Sequence, residues 1–320
     1  MTIMRFLICG AGPLGTLLSL LLKQSGADIT LLARGERYNE LKKDGIQILP
    51  LNSTDVIRTQ VSLINQLPTN QEYDVAFVVM RKNKAVILAQ QMTKNLPAKR
   101  IIFLGNNPNG FDTYKEYYSS DQYLLGFLMA AGHTEKNITT SYYDVKDIIR
   151  IGINPGDPHS LEKVISIQQE LAKYGIGVSI SPDINAWLKY HAVLIAPLAG
   201  LMYRTNCDVY ELPKHIDWIK TALRAIREGM NALFKLGFQI EPPSIKKFRW
   251  LPIGLMSKIL AKRLASKNGE IALAAHARSA FDEMEPLMKE VYQIILKANM
   301  TLSNYNEILS WFIQSSFNTK

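Results

Sequence analysis

A glycine-rich hexapeptide lies directly after the first apolar run of the chain. It reads Gly10-Ala11-Gly12-Pro13-Leu14-Gly15 and fits the pattern G-x-G-x-x-G. In a strand–turn–helix unit the first glycine permits the tight turn, the second lets the backbone approach a pyrophosphate, and the third lets helix and strand pack closely. The N–H groups at the start of the helix then attract the phosphates. The motif predicts a dinucleotide site; the alternative is a purely structural glycine turn.

The residues that follow the second apolar run favour one dinucleotide. A site for NAD usually has Asp or Glu there to bind the ribose 2′-hydroxyl, whereas this chain reads Leu32-Ala33-Arg34-Gly35-Glu36-Arg37. Because a guanidinium pairs bidentately with a phosphate, Arg34 favours NADP(H) as the cofactor. Arg81, which follows another apolar run, would add positive charge to the same rim. The alternative is that Arg34 is solvated and Glu36 binds the ribose.

An asparagine and a lysine are the candidates for the chemistry. Asn106 follows the apolar run 101–104, at the carboxyl edge where parallel sheets bind ligands. The surrounding stretch 105–110 is rich in turn residues, so an ordinary turn is the alternative. Lys189 lies at the start of the first helix of the second half, where a lysine can point into a cleft between domains. The alternative for Lys189 is a solvated helix lysine.

Alternating strands and helices are needed to position these residues. Short apolar runs typical of buried parallel strands are separated by helical patterns, which predicts a parallel sheet with right-handed crossovers. The predicted strands cover residues 6–9, 29–33, 75–80 and 101–104, with further strands at 126–134, 142–153 and 177–180 and indistinct strand-like pieces over 45–59. The predicted helices cover residues 14–24, 84–94 and 160–173.

From residue 186 onward the apolar spacing is helical almost throughout. The predicted helices cover residues 186–203, 215–236, 256–267, 271–284 and 287–298, with Pro286 interrupting the helical register between the last two. No convincing strand lies in this half. We therefore predict two domains: a dinucleotide-binding domain over residues 1–180, and a helical domain for substrate binding and dimerisation over residues 181–320.

Composition excludes several classes of protein. The chain has 320 residues, of which 47% are hydrophobic and 20% charged, so it is neither disordered nor fibrous. Its net charge of +9 suits an anionic partner. Cys9 and Cys207 lie far apart and the histidines show no ligand spacing, so neither a disulfide framework nor a metal site is predicted. No apolar stretch reaches the ~20 residues that span a bilayer, and we expect a soluble, cytoplasmic protein.

Taken together, these motifs resemble the ketopantoate reductase (2-dehydropantoate 2-reductase) family. The matching elements are the glycine motif, Arg34, the stretch 103–106 and the stretch 183–189, which reads Asp-Ile-Asn-Ala-Trp-Leu-Lys and is followed by Pro197. Their order and spacing agree clearly to about residue 200. The resemblance implies an α/β Rossmann-type N-terminal domain with a parallel sheet, and an all-helical C-terminal domain in a 6-phosphogluconate-dehydrogenase-like arrangement.

The resemblance also implies a reaction, the NADPH-dependent reduction of a 2-oxo acid, most directly 2-dehydropantoate to pantoate in pantothenate biosynthesis. Lys189 would stabilise the negative charge on the carbonyl oxygen and supply the proton. Asn106 would orient the nicotinamide and the substrate, and Asn206 would bind the substrate together with Lys189. The catalytic glutamate of the family would be Glu283, with Glu285 as an alternative.

Some positions depart from the family pattern. The family has asparagines one turn after the lysine and just before the proline, where this chain has Val193 and Ala196, and its strand-edge lysine is Arg81 here. Because a polar site discriminates substrates by such hydrogen bonds, two alternatives stay open. One is a related reductase or dehydrogenase with a different substrate. The other is a nucleotide-binding protein without turnover.

Residues 246–267 form a basic segment. It contains seven Lys or Arg residues and no acid, interleaved with aromatic and aliphatic residues. Such a segment can lie on a membrane or meet an acidic partner; the alternative is a solvated helix whose apolar residues pack on the domain or at a subunit interface. No zinc or helix-turn-helix signature indicates nucleic acid. The expected partner is a small-molecule 2-oxo acid, and a homodimer is left open.

Overall fold

The computed structural model of the protein describes residues 4–51, 53–70 and 73–318. The chain forms two compact units. The first unit extends to Asn106 and resumes over Phe111–Ile184, and the second consists of Asn107–Gly110 and the chain from Asn185 onward. The main division therefore lies between residues 184 and 185. The functions assigned to the predicted domains 1–180 and 181–320 stay predictions.

The β-strands of the described residues all lie in the first unit. In chain order they are β1 (Arg5–Cys9), β2 (Asp28–Leu32), β3 (Ile46–Pro50), β4 (Ile57–Thr59), β5 (Ser62–Ile64), β6 (Tyr73–Val78), β7 (Ala98–Leu104), β8 (Tyr123–Leu128), β9 (Ala130–Glu135), β10 (Ile138–Tyr143), β11 (Ile149–Gly152) and β12 (Val178–Ser181). The helices of this unit are α1 (Pro13–Gln24), α2 (Gly35–Asp44), α3 (Lys82–Met92) and α4 (Ser160–Lys173).

The larger sheet has eight strands in the order β12-β11-β8-β7-β6-β1-β2-β5. The run from β8 to β5 is parallel throughout, and only the pairing of β11 with β8 is antiparallel. The central strand β1 is buried from Phe6 to Cys9, as expected when both faces of a parallel sheet are covered. A parallel-dominated Rossmann-type sheet is therefore confirmed.

A second sheet of four strands, in the order β4-β3-β10-β9, packs with α1. Because α1 contacts both sheets, its leucines are buried on several sides of the helix, which accounts for the apolar run after the glycine motif. The single strands predicted over 126–134 and 142–153 are wrong. The chain breaks at Met129 between β8 and β9, and β10 and β11 belong to different sheets. The β9–β10 hairpin turns at Lys136 and Asn137, both with positive φ, without the glycine that usually marks such a turn.

The second unit is helical over its described residues. Its α-helices are α5 (Ile184–Arg204), which begins at the division between the units, α6 (Ile216–Lys235), α7 (Ile253–Leu264), α8 (Lys267–Gly269), α9 (His276–Ser279), α10 (Phe281–Leu296) and α11 (Ser303–Asn318). Short 3-10 helices span Val209–Lys214 and Pro243–Arg249, and a π-helical turn spans Glu270–Ala275.

The end of this unit differs from the sequence prediction. The predicted helix 271–284 is wrong, because the chain passes through the π-helical turn and α9 and is interrupted at Ala280. The predicted interruption at Pro286 is also wrong, since α10 continues through that residue. The apolar side chains that α10 buries on both sides of the proline outweigh the one hydrogen bond that a proline removes. The helix α11 was not predicted.

Candidate functional site

The glycine motif forms the turn between β1 and α1. Gly10 has φ +121, and a Cβ added there would lie 2.3 Å from the Val79 carbonyl oxygen. A Cβ at Gly15 would lie 1.8 Å from the Gly10 carbonyl oxygen. The fold itself therefore requires glycine at both positions. Gly12 differs, because its backbone is extended and a Cβ there would meet no atom within 4 Å. Open space above the backbone at this position fits the approach of a pyrophosphate to the start of α1.

Arg37 holds this turn in place, although it was not among the predicted site residues. Its Nε donates to the Ala11 carbonyl oxygen at 3.1 Å, and its guanidinium also binds Glu40 at 2.8 Å and the side chain of Asn137. Since a trans peptide directs C=O and N–H oppositely, anchoring the Ala11 carbonyl also orients the Gly12 N–H. The partner Asn137 lies in the β9–β10 hairpin, a hundred residues away in sequence, so no local signal indicated this role.

The end of β2 presents both of the residues considered for the ribose. Arg34 precedes α2 and is exposed, and its Nη2 donates to the Gln91 side-chain oxygen at 3.0 Å. Glu36 lies in the first turn of α2 and is also exposed. The structure therefore keeps both available, and the choice between them rests on the chemistry of the cofactor.

Arg81 and Asn106 lie at the same edge of the sheet as the glycine turn. Arg81 is the residue before α3, just after β6, and Asn106 is buried two residues after the end of β7. Because β7, β6, β1 and β2 are adjacent and parallel, their carboxyl ends share one edge. The structure thus brings Arg34, Arg81, Asn106 and the glycine motif to that edge. The first turn of α3 also carries lysines and no acid. The helix dipole alone would favour acids at this position, so the lysines suit an anion bound nearby.

Lys189 is buried in the second unit, with only 6% of its surface exposed. Its Nζ donates to the Asn185 side-chain oxygen at 2.7 Å and lies 4.8 Å from the centre of the Phe238 ring. The alternative of a solvated helix lysine is therefore wrong. A buried ammonium must be compensated by hydrogen bonds or by an aromatic face, and this one has both.

Asn185 and Phe238 were missed as partners of Lys189. Asn185 precedes the lysine by four residues, a spacing at which helical side chains meet, so the sequence did contain this signal. It also packs on the Asn107–Gly110 segment, where a Cβ added to Gly110 would lie 1.8 Å from the Asn185 side-chain oxygen. Phe238 follows α6 and carries no sequence signal. Its carbonyl oxygen accepts from the Tyr190 hydroxyl at 2.9 Å, which fixes the backbone at the ring.

The positions where the family has asparagines face the core of this unit. Val193 and Ala196 are both fully buried among apolar side chains. A Cβ added to Gly229 of α6 would lie 2.7 Å from a Val193 methyl carbon, so the two helices approach closely there. Neither position therefore supplies a hydrogen bond to a substrate.

Restoring the first asparagine is expected to destabilise the protein. In Val193→Asn an amide would enter an apolar core, at a cost of about 3 kcal/mol in the free energy of unfolding. Urea denaturation measures this change. The matched control is Ile87→Asn on the exposed face of α3, expected to change stability by less than about 0.5 kcal/mol. An equally small effect at position 193 would contradict the packing described.

The structure does not bring Asn206 beside Lys189. α5 carries Lys189 near its start and ends at Arg204, and this spacing corresponds to about 22 Å along a helix. Asn206 has φ 51 in the turn after α5, a left-handed conformation that asparagine tolerates well. The conformation of the turn accounts for an asparagine here, and the assignment of Asn206 as a substrate ligand together with Lys189 stays a prediction.

The two candidate glutamates lie in different surroundings. Glu283 is in the first turn of α10 and is partly buried, where a carboxylate is favoured by the helix dipole. Glu285 pairs with Lys289 at 2.8 Å, one turn later on the same helix. Both glutamates stay candidates, and a catalytic role for Glu283 stays a prediction.

Both cysteines of the chain are buried. Burial raises the pKa of Cys9 to about 12 against the opposing charge of Arg34, so the thiol is protonated at neutral pH. Burial also raises the pKa of Cys207. Within residues 4–51, 53–70 and 73–318, no three His, Cys, Asp or Glu side chains are grouped to hold a metal ion. No helix in these ranges is long and apolar enough to cross a membrane.

Comparison with known proteins points to one family. Residues 6–156 match the family model described as ketopantoate reductase PanE/ApbA. The 2-dehydropantoate 2-reductase of Pyrococcus abyssi is 21% identical over 250 residues, which is 77% of this chain and 79% of that protein. The structure of the PanE/ApbA family ketopantoate reductase from Ralstonia eutropha JMP134 has a TM-score of 0.74 at 14% identity, covering 98% of this chain and 99% of that one.

A second kind of enzyme shares this fold. The ternary structure of D-mandelate dehydrogenase with NADH and anilino(oxo)acetate has a TM-score of 0.70 at 14% identity, covering 98% of this chain and 99% of that one. At such identities the structural likeness concerns the fold. Over residues 6–156 the sequence is similar to the ketopantoate reductase family, and over nearly its whole length the chain shares the fold of a solved structure from that family.

Proposed function

We propose that the protein is an oxidoreductase that uses NADPH to reduce a 2-oxo acid to a 2-hydroxy acid, with 2-dehydropantoate as the first candidate substrate. The observation that carries this proposal is the buried ammonium of Lys189, held by Asn185 and the Phe238 ring. Burying a lysine costs the solvation of its ammonium and the mobility of its side chain. Binding the polarised carbonyl of an anionic substrate would account for this burial.

The dinucleotide would be held by the carboxyl edge of the larger sheet. The open backbone at Gly12 and the start of α1 would take the pyrophosphate, and Arg34 would take the 2′-phosphate. Asn106 would orient the nicotinamide end. When bound, the cofactor supplies the hydride for the ketone carbon. Arg37 would contribute indirectly, because it fixes the turn to which the phosphates bind.

Lys189 would act on the carbonyl oxygen of the substrate. As the ketone carbon accepts the hydride, negative charge develops on this oxygen, and an ammonium stabilises the charge and then donates the proton. Asn185 accepts a hydrogen bond from Lys189 and thereby orients its ammonium group. The Phe238 ring lies against the ammonium and replaces water there, which strengthens the electrostatic interaction.

A 2-oxo acid with an apolar side chain is the second candidate substrate. Val193 and Ala196 provide no hydrogen bond where the family pattern has asparagines, and loss of such bonds reduces discrimination in favour of a polar substrate. The fold is also that of a D-mandelate dehydrogenase whose ternary structure contains anilino(oxo)acetate. We therefore place aromatic and branched 2-oxo acids beside 2-dehydropantoate. A nucleotide-binding protein without turnover is the remaining alternative.

The decisive experiment is NADPH oxidation with a panel of substrates. The panel contains 2-dehydropantoate, pyruvate, 2-oxoisovalerate and phenylglyoxylate, each at several concentrations, and it is repeated with NADH. Turnover with any of them supports the proposed reaction, and the kcat/KM order identifies the side chain preferred. NADPH binding without turnover of any 2-oxo acid would favour the non-catalytic alternative.

The preference for NADPH is tested at Arg34. Because a guanidinium contributes charge-assisted hydrogen bonds to a phosphate, Arg34→Ala is expected to weaken NADPH binding by about 10- to 100-fold. NADH lacks that phosphate, so its affinity should change by less than about threefold. Fluorescence titration with both cofactors measures the difference. The matched variant Glu36→Ala is expected to spare NADPH, and a selective loss of NADH binding in it would instead assign the ribose to Glu36.

The cytoplasmic location and the homodimer expected from the sequence stay proposals. Fractionation of cells and light scattering of the purified protein test them directly.

A further inference from the structure

The basic segment forms an exposed surface of the second unit. It covers the end of the 3-10 helix Pro243–Arg249, the turn at Trp250 and the whole of α7. Trp250 is 76% exposed, and Leu255 and Ile259 are each more than half exposed. Large apolar side chains with this exposure are unusual when they occur together in one stretch, and they mark interaction surfaces.

α7 has two distinct faces. Its inner face packs on the core of the unit through Ser257 and Ala261, which are buried. Leu255 and Ile259 lie one turn apart and face outward, and Lys258 and Lys262 are exposed beside them. The outer face of α7 therefore combines apolar side chains with cations, although it faces away from the core.

Trp250 is presented on a well-anchored backbone. Arg227 of α6 donates to the carbonyl oxygen of Phe248 at 3.2 Å and also to that of Leu251, on either side of the tryptophan. Arg249 donates to the Asn231 side-chain oxygen at 2.7 Å, and its guanidinium lies over the rings of both Phe234 and Trp250. The Trp250 indole is therefore exposed on a turn whose backbone is held by hydrogen bonds.

The charge of this surface is of one sign. Its exposed cations are Lys246, Lys247, Lys258, Lys262, Arg263 and Lys267. None of them forms an ion pair within the described residues, and residues 246–267 contain no acid. The partner that complements it must therefore be anionic.

A second copy of this chain is disfavoured as the occupant. In a two-fold dimer formed through this surface, the cations of one copy would face the same cations of the other copy and repel them. The chain as a whole also carries a net charge of +9. An extended anionic surface suits the arrangement better. Tryptophan prefers the polar–apolar boundary of a bilayer, and lysines extend toward headgroup phosphates while short apolar side chains enter the acyl region.

We propose that the Trp250 surface, defined as Trp250, Leu255, Ile259 and the exposed cations of the basic segment, binds the face of a bilayer that contains anionic lipids. Trp250, Leu255 and Ile259 insert at the interface, and the cations bind headgroup phosphates. Binding is peripheral, since no helix of the described residues can span a membrane. It requires neither the dinucleotide nor a 2-oxo acid.

The test is co-sedimentation of the full chain with vesicles of phosphatidylcholine containing phosphatidylserine. Binding is expected with these vesicles, absent with phosphatidylcholine alone, and weakened by salt. The fluorescence of Trp250 should shift to the blue and be quenched by brominated lipid. Trp250→Phe should remove most of this response, because Trp187 and Trp311 are buried and the remaining tryptophan, Trp218, is partly buried against His215 and Arg204.

Two variants separate the contributions. Lys258→Gln with Lys262→Gln is expected to weaken vesicle binding roughly 25-fold, at about fivefold for each cation. Leu255→Ser with Ile259→Ser should weaken it by at least about tenfold. The matched controls lie in the first unit: Lys23→Gln with Lys94→Gln for charge, and Leu161→Ser for an exposed apolar residue. Each control should bind as the unchanged protein does, and thermal unfolding confirms that all variants fold.

Three results would overturn the proposal. The first is failure to bind anionic vesicles at low salt. The second is binding that the control variants weaken as much as the surface variants do, which would indicate a non-specific effect of net charge. The third is self-association in light scattering that Leu255→Ser with Ile259→Ser abolishes while vesicle binding is unaffected, which would assign the surface to a second copy.

Discussion

Lys189→Ala is expected to lower kcat by about 100-fold or more while the Kd for NADPH changes less than about threefold. The ammonium is buried against Asn185 and Phe238, and under the proposed reaction it stabilises the developing oxyanion and donates the proton. Its removal therefore affects the chemical step and leaves the binding of the dinucleotide at the sheet edge intact. Steady-state kinetics with the best substrate of the panel and a fluorescence titration with NADPH measure the two quantities.

Three companion measurements make this prediction specific. Asn185→Ala keeps the Lys189 amine but removes the hydrogen bond that orients it. The expected loss in kcat is therefore smaller than that of Lys189→Ala. A small primary amine added to Lys189→Ala should restore part of the activity, because it supplies the missing proton donor. Circular dichroism shows whether the variant is folded. Full activity of Lys189→Ala would remove lysine from the mechanism, and an equal loss of NADPH affinity would indicate a role in the fold or in cofactor binding.

Gly12→Val is the second substitution with a large expected effect. A side chain at Gly12 meets no protein atom within 4 Å, so the protein should fold normally. The valine would occupy the space that the pyrophosphate needs, and NADPH binding should weaken by about 100-fold or more. Isothermal titration calorimetry with NADPH and thermal unfolding without it measure the two effects separately.

Two glycine variants serve as controls. Gly254 also has open space around it and lies in the second unit, so Gly254→Val should leave both NADPH affinity and stability nearly unchanged. Gly15→Ala should destabilise the folded protein even without cofactor, because its Cβ would lie 1.8 Å from the Gly10 carbonyl oxygen. Tight NADPH binding by Gly12→Val would show that the turn has a purely structural role.

The buried parallel strands were the most predictable part of the fold. β1, β6 and β7 each contain four consecutive apolar residues, and β2 is apolar apart from Asp28 and Thr30, because both faces of the sheet are covered. The second sheet was less predictable, because its strands are short and partly polar. Its hairpin turns at Lys136-Asn137, a pair whose left-handed backbone only the surrounding structure reveals.

The helical unit shows how tertiary packing overrides a local rule. Pro286 indicates an interruption when the sequence is read locally. In the structure α10 runs through it, because Met284 and Leu287 on either side are buried in the core. The interruption occurs at Ala280 instead, after a π-helical turn that no residue pattern marked.

The sequence by itself determined the turn between β1 and α1, because Gly15 meets the backbone of Gly10 only five residues earlier and Gly10 meets the backbone of Val79, directly after the adjacent strand β6. It also placed Lys189 on a helix and Arg34 after the second strand. Only the tertiary structure decided that Lys189 is buried against Phe238, that Arg37 anchors the glycine turn through a distant hairpin, and that Val193 packs on α6. The reason is physical: backbone conformation depends on neighbours along the chain, whereas desolvation and side-chain partners depend on residues that only folding brings together.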